Sequence, residues 1–510
     1  MDDFDAGREN DAMAAAPTEE IELKLVVAPE RLAALRQALR AGAVRSERLR
    51  AIYFDTADER LGRAGAALRL RREGRRWVQT LKVGTHDALR RFEHNAPVPS
   101  PAKGAEPALV LARHAGTPAG ELLDRIAGGE SLALVPRFRT DVRRTVRGMR
   151  VAGARLEVAL DVGAVVAASR VESIHELELE LLSGSIDGLL QAALRWLEPH
   201  GLWIGTVTKA ERGARLARGE APGAVAAQPP RVDENVDAAG FLIAAVRSAL
   251  DHALANIASL AEGATDDTIV HQARVGVRRL RTALREVAAL EPHAVAPAWE
   301  PTLRAAFVAL GQHRDADVVL PAVRARLPVA GVPAFADPPP PDAPEPLVDI
   351  ARAPGLQRTM LELLAFVHRR PDVALPALAT QPAARVASDR LDMLHARLVR
   401  DARRYADLDV PGQHRVRKRL KRLRYLSEFA APLFGAKRVA KYLAHWRDAQ
   451  DELGASNDER IAAEAWRRQA EHDPAAWFAV GWLAARDEEA VQECRRALRR
   501  AAKTKPFWSS

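Results

Sequence analysis

Residues 19–27 read EEIELKLVV, an extended segment that puts Glu20, Glu22 and Lys24 on one face and Ile21, Leu23 and Leu25 on the other. Charges placed in this way recur. Arg69 and Arg71 alternate with Leu68 and Leu70, Thr80 and Lys82 flank Leu81, Glu157 and Asp161 share one face of LEVALD, and Glu176, Glu178 and Glu180 alternate with Leu177, Leu179 and Leu181. A single strand of this kind needs nothing beyond one wet face. Several strands whose charged sides each carry one sign need more, because a face chosen only for solubility mixes signs. If the strands close into a barrel with their charged faces inward, acids and bases converge on one lumen, and the apolar faces require helices outside. Clustered Arg and Lys then call for a polyanion and clustered carboxylates for a hard divalent cation. Mg²⁺ or Mn²⁺ bound by carboxylates and phosphate oxygens meets both demands. The pattern predicts a chain of phosphates with metal in the lumen.

Other features set the wider frame. A chain of 510 residues exceeds what one hydrophobic core usually serves. Residues 216–235, rich in Ala, Gly and Pro, read as a linker between an N-terminal domain at 18–215 and a C-terminal one at 236–510. Alternating runs at 19–27, 66–72, 76–83, 139–147, 155–162 and 175–182 make the first half mostly β, with helices near 29–41 and 185–197. After the linker the period is helical, broken by the proline-rich stretch 332–346. The fold class expected is α+β multidomain. No apolar run comes near the roughly 20 residues of a membrane span, so no membrane partner is expected. Residues 1–17 are acidic and polar, a short flexible tail instead of a signal peptide. The single cysteine, Cys494, excludes an intramolecular disulfide and points to a reducing cytoplasm. A net charge of +9 favours anionic partners without saying which.

The helical half contains a repeat. His271, Arg274, Arg278, Arg279, Leu280 and Arg281 recur as His414, Arg417, Lys421, Arg422, Leu423 and Arg424, each 143 positions on, and the same offset carries Leu310, Gly311 and Asp315 onto Leu453, Gly454 and Asp458. The two copies span about 236–330 and 348–510. On a helix, His271, Arg274, Arg278, Arg281 and Arg285 fall within an arc of about 80°, opposite Val277, Leu280 and Leu284. Residues 414–424 hold seven Lys or Arg and no acid, forgoing the oppositely charged pairs that stabilise an ordinary solvated helix. DNA is the rival anion. Yet no helix-turn-helix spacing or interleaved aromatics accompany the stripes, so no sequence-specific nucleic acid is expected, and a polyanion with closely spaced phosphates fits better.

Taken together, EIELK, YFDT, LRLR, TLK, RFE, LEVALD, ELELEL and TVTK resemble the CYTH family, the triphosphate tunnel metalloenzymes, across about residues 18–215. The resemblance implies an eight-stranded antiparallel tunnel in which Lys24, Arg69, Arg71, Lys82 and Lys209 grip phosphates. One further Arg comes from the 139–147 strand, Arg144 being favoured over Arg143. Glu20, Glu22, Asp161, Glu178 and Glu180 would bind metal, with Glu176 competing for that role, and Glu20, Glu22, Lys24 and Glu93 would be catalytic. Relatives often carry a second acid after RxE, where this chain has Asn95. The duplicated motif H-x2-R-x3-[RK]-x2-R followed by LGxxxD is similar to the CHAD family, across about residues 236–510. It implies two four-helix bundles that bind inorganic polyphosphate through His271, Arg274, Arg278, Arg281, His414, Arg417, Lys421 and Arg424. Asp315 and Asp458 are expected to have a structural part at helix ends.

The function expected is metal-dependent hydrolysis of inorganic triphosphate beside a polyphosphate-binding domain, in the cytoplasm and in association with polyphosphate granules. The alternatives are a non-catalytic polyphosphate-binding protein and an adenylate cyclase or thiamine triphosphatase. Oligomeric state is open.

Overall fold

The computed structural model describes residues 18–85, 87–101, 105–314, 318–327, 333–338 and 344–509. The stretch read as a tail, 1–17, and Asp315 lie outside them. The chain divides into one unit ending at Pro222 and another beginning at Gly223.

In the first unit, β1(Thr18–Val26), β2(Arg45–Thr56), β3(Ala66–Glu73), β4(Arg76–Gly84), β5(Arg90–Val98), β6(Leu134–Val151), β7(Ala154–Ala167) and β8(Arg170–Ser183) form an antiparallel sheet in the order β5-β4-β3-β2-β6-β7-β8-β1. β1 also pairs with β5, which closes the sheet into an eight-stranded barrel; the two-residue β9(Trp203–Ile204) adds to β1. The alternation sorts the side chains as the sequence demands. Leu25, Leu68, Leu81, Leu177 and Leu179 are fully buried on the outer face, and each such side chain is worth roughly 1.5–3 kcal/mol when removed from water. Helices α1(Leu32–Leu39), α2(Arg60–Arg63), α3(Pro118–Ala127), α4(Ile186–His200) and α5(Lys209–Arg218) accompany the strands. α4 lies on β1, β6, β7 and β8 and buries Leu189, Leu190, Ala193 and Leu197. The β6–β7 hairpin turns through Ala152 and Gly153, both at positive φ (48° and 78°), the handedness that matches strand twist in a two-residue turn.

Two barrel strands, β2 and β5, were not among the alternating runs. In β2 the stretch Ala51–Tyr53 is buried at consecutive positions, and β5 carries the buried polar residue His94 on its outer face, so neither shows the apolar-polar alternation. The strands β6, β7 and β8 are also longer than the runs that marked them, at 18, 14 and 14 residues.

The second unit contains α6(Ala238–Ala261), α7(Asp267–Leu290), α8(Trp299–Arg314), α9(Leu320–Arg324), α10(Leu347–Arg352), α11(Pro354–His368), α12(Pro371–Ala374), α13(Ala383–Arg403), α14(Val410–Phe434), α15(Ala436–Gln469) and α16(Trp477–Ala501). α7 and α14 begin 143 positions apart, as the repeat requires, and pack on each other. α10 and α11, which follow the proline-rich segment, pack against α6 and α8, which precede it, while α9 joins the core around Trp466 between α15 and α16. α6 corrects one sequence expectation. Its 24 residues are long and apolar enough to cross a membrane by length and composition, and the stretch escapes notice as an apolar run because nine of them are Ala and Arg247 and Asp251 interrupt it. Here it is a core helix, in contact with α7, α10, α11 and α13.

Candidate functional site

The barrel directs its charged faces inward. Glu22, Lys24, Glu93, Asp161 and Glu176 are all less than a tenth exposed. Desolvating an ion costs several kcal/mol, so each luminal charge needs a partner, and the ladder register supplies them. Asp161 stands opposite Glu176 and Arg144, and Glu178 stands opposite Lys24. Arg144 makes a bidentate pair with Asp161 at 2.7 and 2.6 Å and also reaches Glu178. Lys209 Nζ lies 2.9 Å from Asp161, 2.8 Å from Glu176 and 2.5 Å from Glu178. Burial works against the Lys209 ammonium, but these three carboxylates hold its pKa well above the ordinary value. Lys24 donates to the Val207 carbonyl at 2.7 Å and faces Glu176 at 3.9 Å.

Lys209 comes from outside the sheet. It is the first residue of α5, whose start is fixed by a capping box between Thr208 and Glu211. α5 can lie flat on β6 because residue 213 is glycine: a Cβ there would sit 2.1 Å from the Phe138 ring. Gly213→Ala is therefore expected to lift α5, withdraw Lys209 and destabilise the barrel by about 1–3 kcal/mol, read as a lowered denaturation midpoint together with weaker triphosphate binding.

A second group lies on β1, β4 and β5. Lys82 sits 3.0 Å from Glu20 and also pairs with Glu93, while Arg91 pairs with Glu22 and lies 3.8 Å from Glu20. Burial, reinforced by Glu22 and Glu93 against the pull of Lys82, raises Glu20 to about 8. Glu93 resists burial because Lys82 and the hydrogen bond from Glu20 hold it ionised, and Asn95 donates to it at 2.7 Å. Glu20 thus keeps a proton at neutral pH and shares it with Glu93. The asparagine that replaces the second acid of RxE acts as a donor to the first.

The third group is cationic. Arg69 donates to the Tyr53 hydroxyl at 3.2 Å, yet its Nε is buried without a hydrogen-bond partner. Arg71 pairs with Glu73 at 2.6 Å, but burial and the neighbouring Arg69 and Arg144 push its pKa down. Burial works against Arg69 and Arg144 too, but Tyr53 and Glu93 hold Arg69 up and Glu178 and Asp161 hold Arg144 up, so Arg71 is the cation left depressed and placed for an anion.

The six residues expected to grip phosphate therefore share one lumen. Arg144 points into it and Arg143 is exposed outside. Of the five acids expected to bind metal, Asp161 and Glu178 are engaged by Arg144 and Lys209, and Glu20 and Glu22 by Lys82 and Arg91. Glu180 makes no ion pair among the described residues. It stands opposite both Glu22 on β1 and Glu157 on β7, and burial followed by those two carboxylates raises its pKa. Among the described residues no three acids or histidines form a ready cage. An all-oxygen row that repels itself nonetheless fits a hard divalent cation, which takes one or two carboxylates and completes its shell with water and phosphate oxygens. Alternation within RFE could have flagged Arg91, in phase with Glu93. Arg212, which pairs with Glu172 at 2.6 Å, follows no strand period and left no such signal.

In the helical unit the two stripes merge where α7 meets α14. Around Lys421 stand Arg278, Arg417 and Arg274, with Asp458 the opposing acid, and burial followed by the first two lowers its pKa to about 6. Arg314 and Lys418, which the repeat did not single out, join this cluster. Arg274, Arg278 and Arg281 surround the Phe307 ring at 5.1, 4.9 and 5.6 Å. Gly311 of the LG motif leaves room for Arg274, whose Nη2 lies 3.1 Å from where a Cβ would be. Arg281 is bound by Glu300 at 3.1 and 2.6 Å, and Arg424 by Glu428 at 2.7 Å, so these two guanidinium groups already hold a carboxylate each. Arg279 and Arg422 cross-link the copies: Arg279 reaches Glu428 on α14 and Arg422 reaches buried Glu286 on α7 at 2.5 Å. Asp458 lies well inside the long helix α15, which corrects the expectation of a helix-end role.

Comparisons with known proteins cover both units. Residues 18–214 match the CYTH domain model and residues 244–467 the CHAD domain model. An inorganic triphosphatase of Haemophilus influenzae is 28% identical over 210 residues, 39% of this chain and 55% of that protein, so the chain spans about half the length of this relative. Of solved structures, the CHAD domain from the plant Ricinus communis is 28% identical with a TM-score of 0.42, covering 55% of this chain and 98% of that one. A protein from Hippeastrum described as an adenylyl cyclase with a dominant triphosphatase activity is 18% identical with a TM-score of 0.29, covering 40% and 97%.

Proposed function

We propose that this chain, which carries a CYTH domain at residues 18–214 and a CHAD domain at 244–467, hydrolyses inorganic triphosphate in its tunnel with the help of a divalent cation and binds inorganic polyphosphate on its helical unit. The observation that carries the hydrolase half is the lumen itself, where Arg69, Arg71 and Arg144 stand within each other's field and Arg69 Nε is buried without a partner. The likeness to an inorganic triphosphatase supports that choice of substrate.

Triphosphate entering the tunnel gives these cations phosphate oxygens in place of carboxylates. Lys82, Arg144 and Lys209 exchange partners, Arg71 exchanges Glu73 for phosphate, and the Arg69 Nε gains the partner it lacks. Because the side chains are already ordered, little reorganisation is needed as charge develops on the transferred phosphoryl group. Glu22 and Glu180, with Glu157 beside them, would hold Mg²⁺ or Mn²⁺, which when bound neutralises phosphate oxygens and orients water. The Glu20–Glu93 pair keeps a proton at the tunnel wall without adding a further negative charge. Purified protein with Mg²⁺ or Mn²⁺ and triphosphate, ATP or thiamine triphosphate, assayed for released phosphate and for cyclic AMP, separates the triphosphatase from the cyclase and thiamine triphosphatase. No release from any substrate would leave a binding protein only.

For the helical half the carrying observation is Lys421, which has no ion-pair partner among the described residues and is held to about 6. A bound polyanion returns its pKa toward the ordinary 10.5, so binding takes up a proton at any pH between those values. Polyphosphate affinity is expected to fall by up to about tenfold per pH unit above pH 6, measured as retention at constant ionic strength. A flat profile would remove Lys421 from the site. In the ligand-free protein the sign is opposite: the unfolded lysine holds more protons across this window, so the lysine's contribution to stability rises with pH. A cytoplasmic location, in association with polyphosphate granules, belongs to the same proposal.

A further inference from the structure

Beside the cationic cluster, between α14, α15 and Tyr405, lies a cavity of about 330 Å³. That is the small end of the range of roughly 300–1,000 Å³ in which small-molecule sites fall. Its lining has two characters: apolar at Tyr405, Val410, Pro411, Leu453 and Ile461, and polar at Gln413, His414, Arg417, Ser456, Asn457 and Arg460, with one acid, Glu464. The polar side is pre-ordered: Arg460 donates to Gln413 at 2.6 Å and lies 3.2 Å from Asp487, and Gln413 donates to the Leu408 carbonyl at 3.1 Å. Arg417 belongs to both the cavity and the cluster, and its Nε is buried with no hydrogen-bond partner.

A bare phosphate chain has no use for the apolar wall. An inorganic polyanion gains nothing from Val410, Pro411 or Ile461, while a ligand with a flat heteroaromatic body at the end of a phosphate chain uses both sides. The repeat sharpens the point. At the offset of 143, Leu453 and Ile461 keep apolar counterparts in Leu310 and Val318, but Tyr405, Val410 and Pro411 correspond to Glu262, Asp267 and Thr268, so the first copy has acids and a hydroxyl along the edge that is apolar in the second. The second copy is the better suited to a body of this kind beside phosphate-binding guanidinium groups.

We propose that this cavity holds the nucleoside of a nucleoside triphosphate whose phosphates lie on Arg417, Lys421 and Arg278. The base packs against Val410, Pro411 and Ile461, and Asn457 meets its polar edge. The proposal rests on the cluster being a phosphate site, and the test keeps the two apart.

The test is calorimetric binding of ATP and of inorganic triphosphate in chelator to the full chain carrying Arg71→Met, which weakens the tunnel site in every protein compared, with polyphosphate retention measured on the same proteins. ATP is expected to bind about tenfold more tightly than triphosphate. Asn457→Trp, which fills the cavity, and Val410→Asp, which copies the first repeat at an exposed first-turn position where an acid favours the helix, should each remove that preference. Polyphosphate retention by Asn457→Trp should stay within about threefold of the parent. Equal binding of ATP and triphosphate overturns the proposal, and so does a preference that survives both substitutions, which would place it in the tunnel. Polyphosphate retention that is unchanged when Arg274, Arg278, Arg417 and Lys421 are replaced instead overturns the phosphate site on which the proposal rests.

Discussion

Replacing Arg71 with methionine is expected to lower phosphate release from triphosphate by about 10²–10³-fold and, in the same protein, to raise the denaturation midpoint of the ligand-free chain. The first effect follows from removing a preordered cation from a water-poor tunnel, where its contact with developing charge is strong. The second follows from the sign of its environment: burial and the fields of Arg69 and Arg144 outweigh Glu73, so the guanidinium is less comfortable here than in water. Methionine keeps much of the volume and discards the repulsion. Lys82→Met forms the contrast. Lys82 is held up by Glu93, Glu20 and Glu22 against the cost of burial, so removing it strands the buried, ionised Glu93. Activity should fall by a similar factor, but stability should now drop by about 3–5 kcal/mol. Phosphate release and thermal denaturation, with and without triphosphate, measure both. Full activity in Arg71→Met, or a loss of activity matched by unfolding, would remove Arg71 from the phosphate site.

Replacing Arg274, Arg278, Arg417 and Lys421 together by glutamine is expected to weaken polyphosphate retention at least about a thousandfold and to leave triphosphate hydrolysis within about twofold of the parent. Each charge-assisted hydrogen bond to a phosphate is worth about 1.5–3 kcal/mol, so losing three of the four suffices. Arg281→Gln and Arg424→Gln should each cost far less, because Glu300 and Glu428 already occupy those guanidinium groups. Retention on a polyphosphate column at several salt concentrations reads the loss, with phosphate release as the control. Duplex DNA competing as well as polyphosphate would return the cluster to a general anion surface.

Much of this was legible in the sequence because the signals were periodic. Strand alternation of period two placed Glu22, Lys24, Arg69, Arg71 and Lys82 on one face of their strands, and closing the barrel then left them nowhere to point but inward. The offset of 143 aligned α7 with α14 before any helix was drawn. Periodicity failed where residues are buried for other reasons. Ala51–Tyr53 in β2 and His94 in β5 break the alternation, and the alanine-rich α6 hid its apolar length.

The sequence by itself determined which charges share a strand face and which helices are copies, since both depend only on chain geometry and residue spacing. Which acid faces which base was decided in three dimensions. Lys209 reaches Asp161, Glu176 and Glu178 because Gly213 lets α5 rest on Phe138, and Arg281 and Arg424 are drawn off by Glu300 and Glu428. Those outcomes turn on contacts a few ångströms long between segments far apart in the chain. A buried charge takes the partner that packing brings within reach, and spacing along one strand or helix carries no record of what the next one presents.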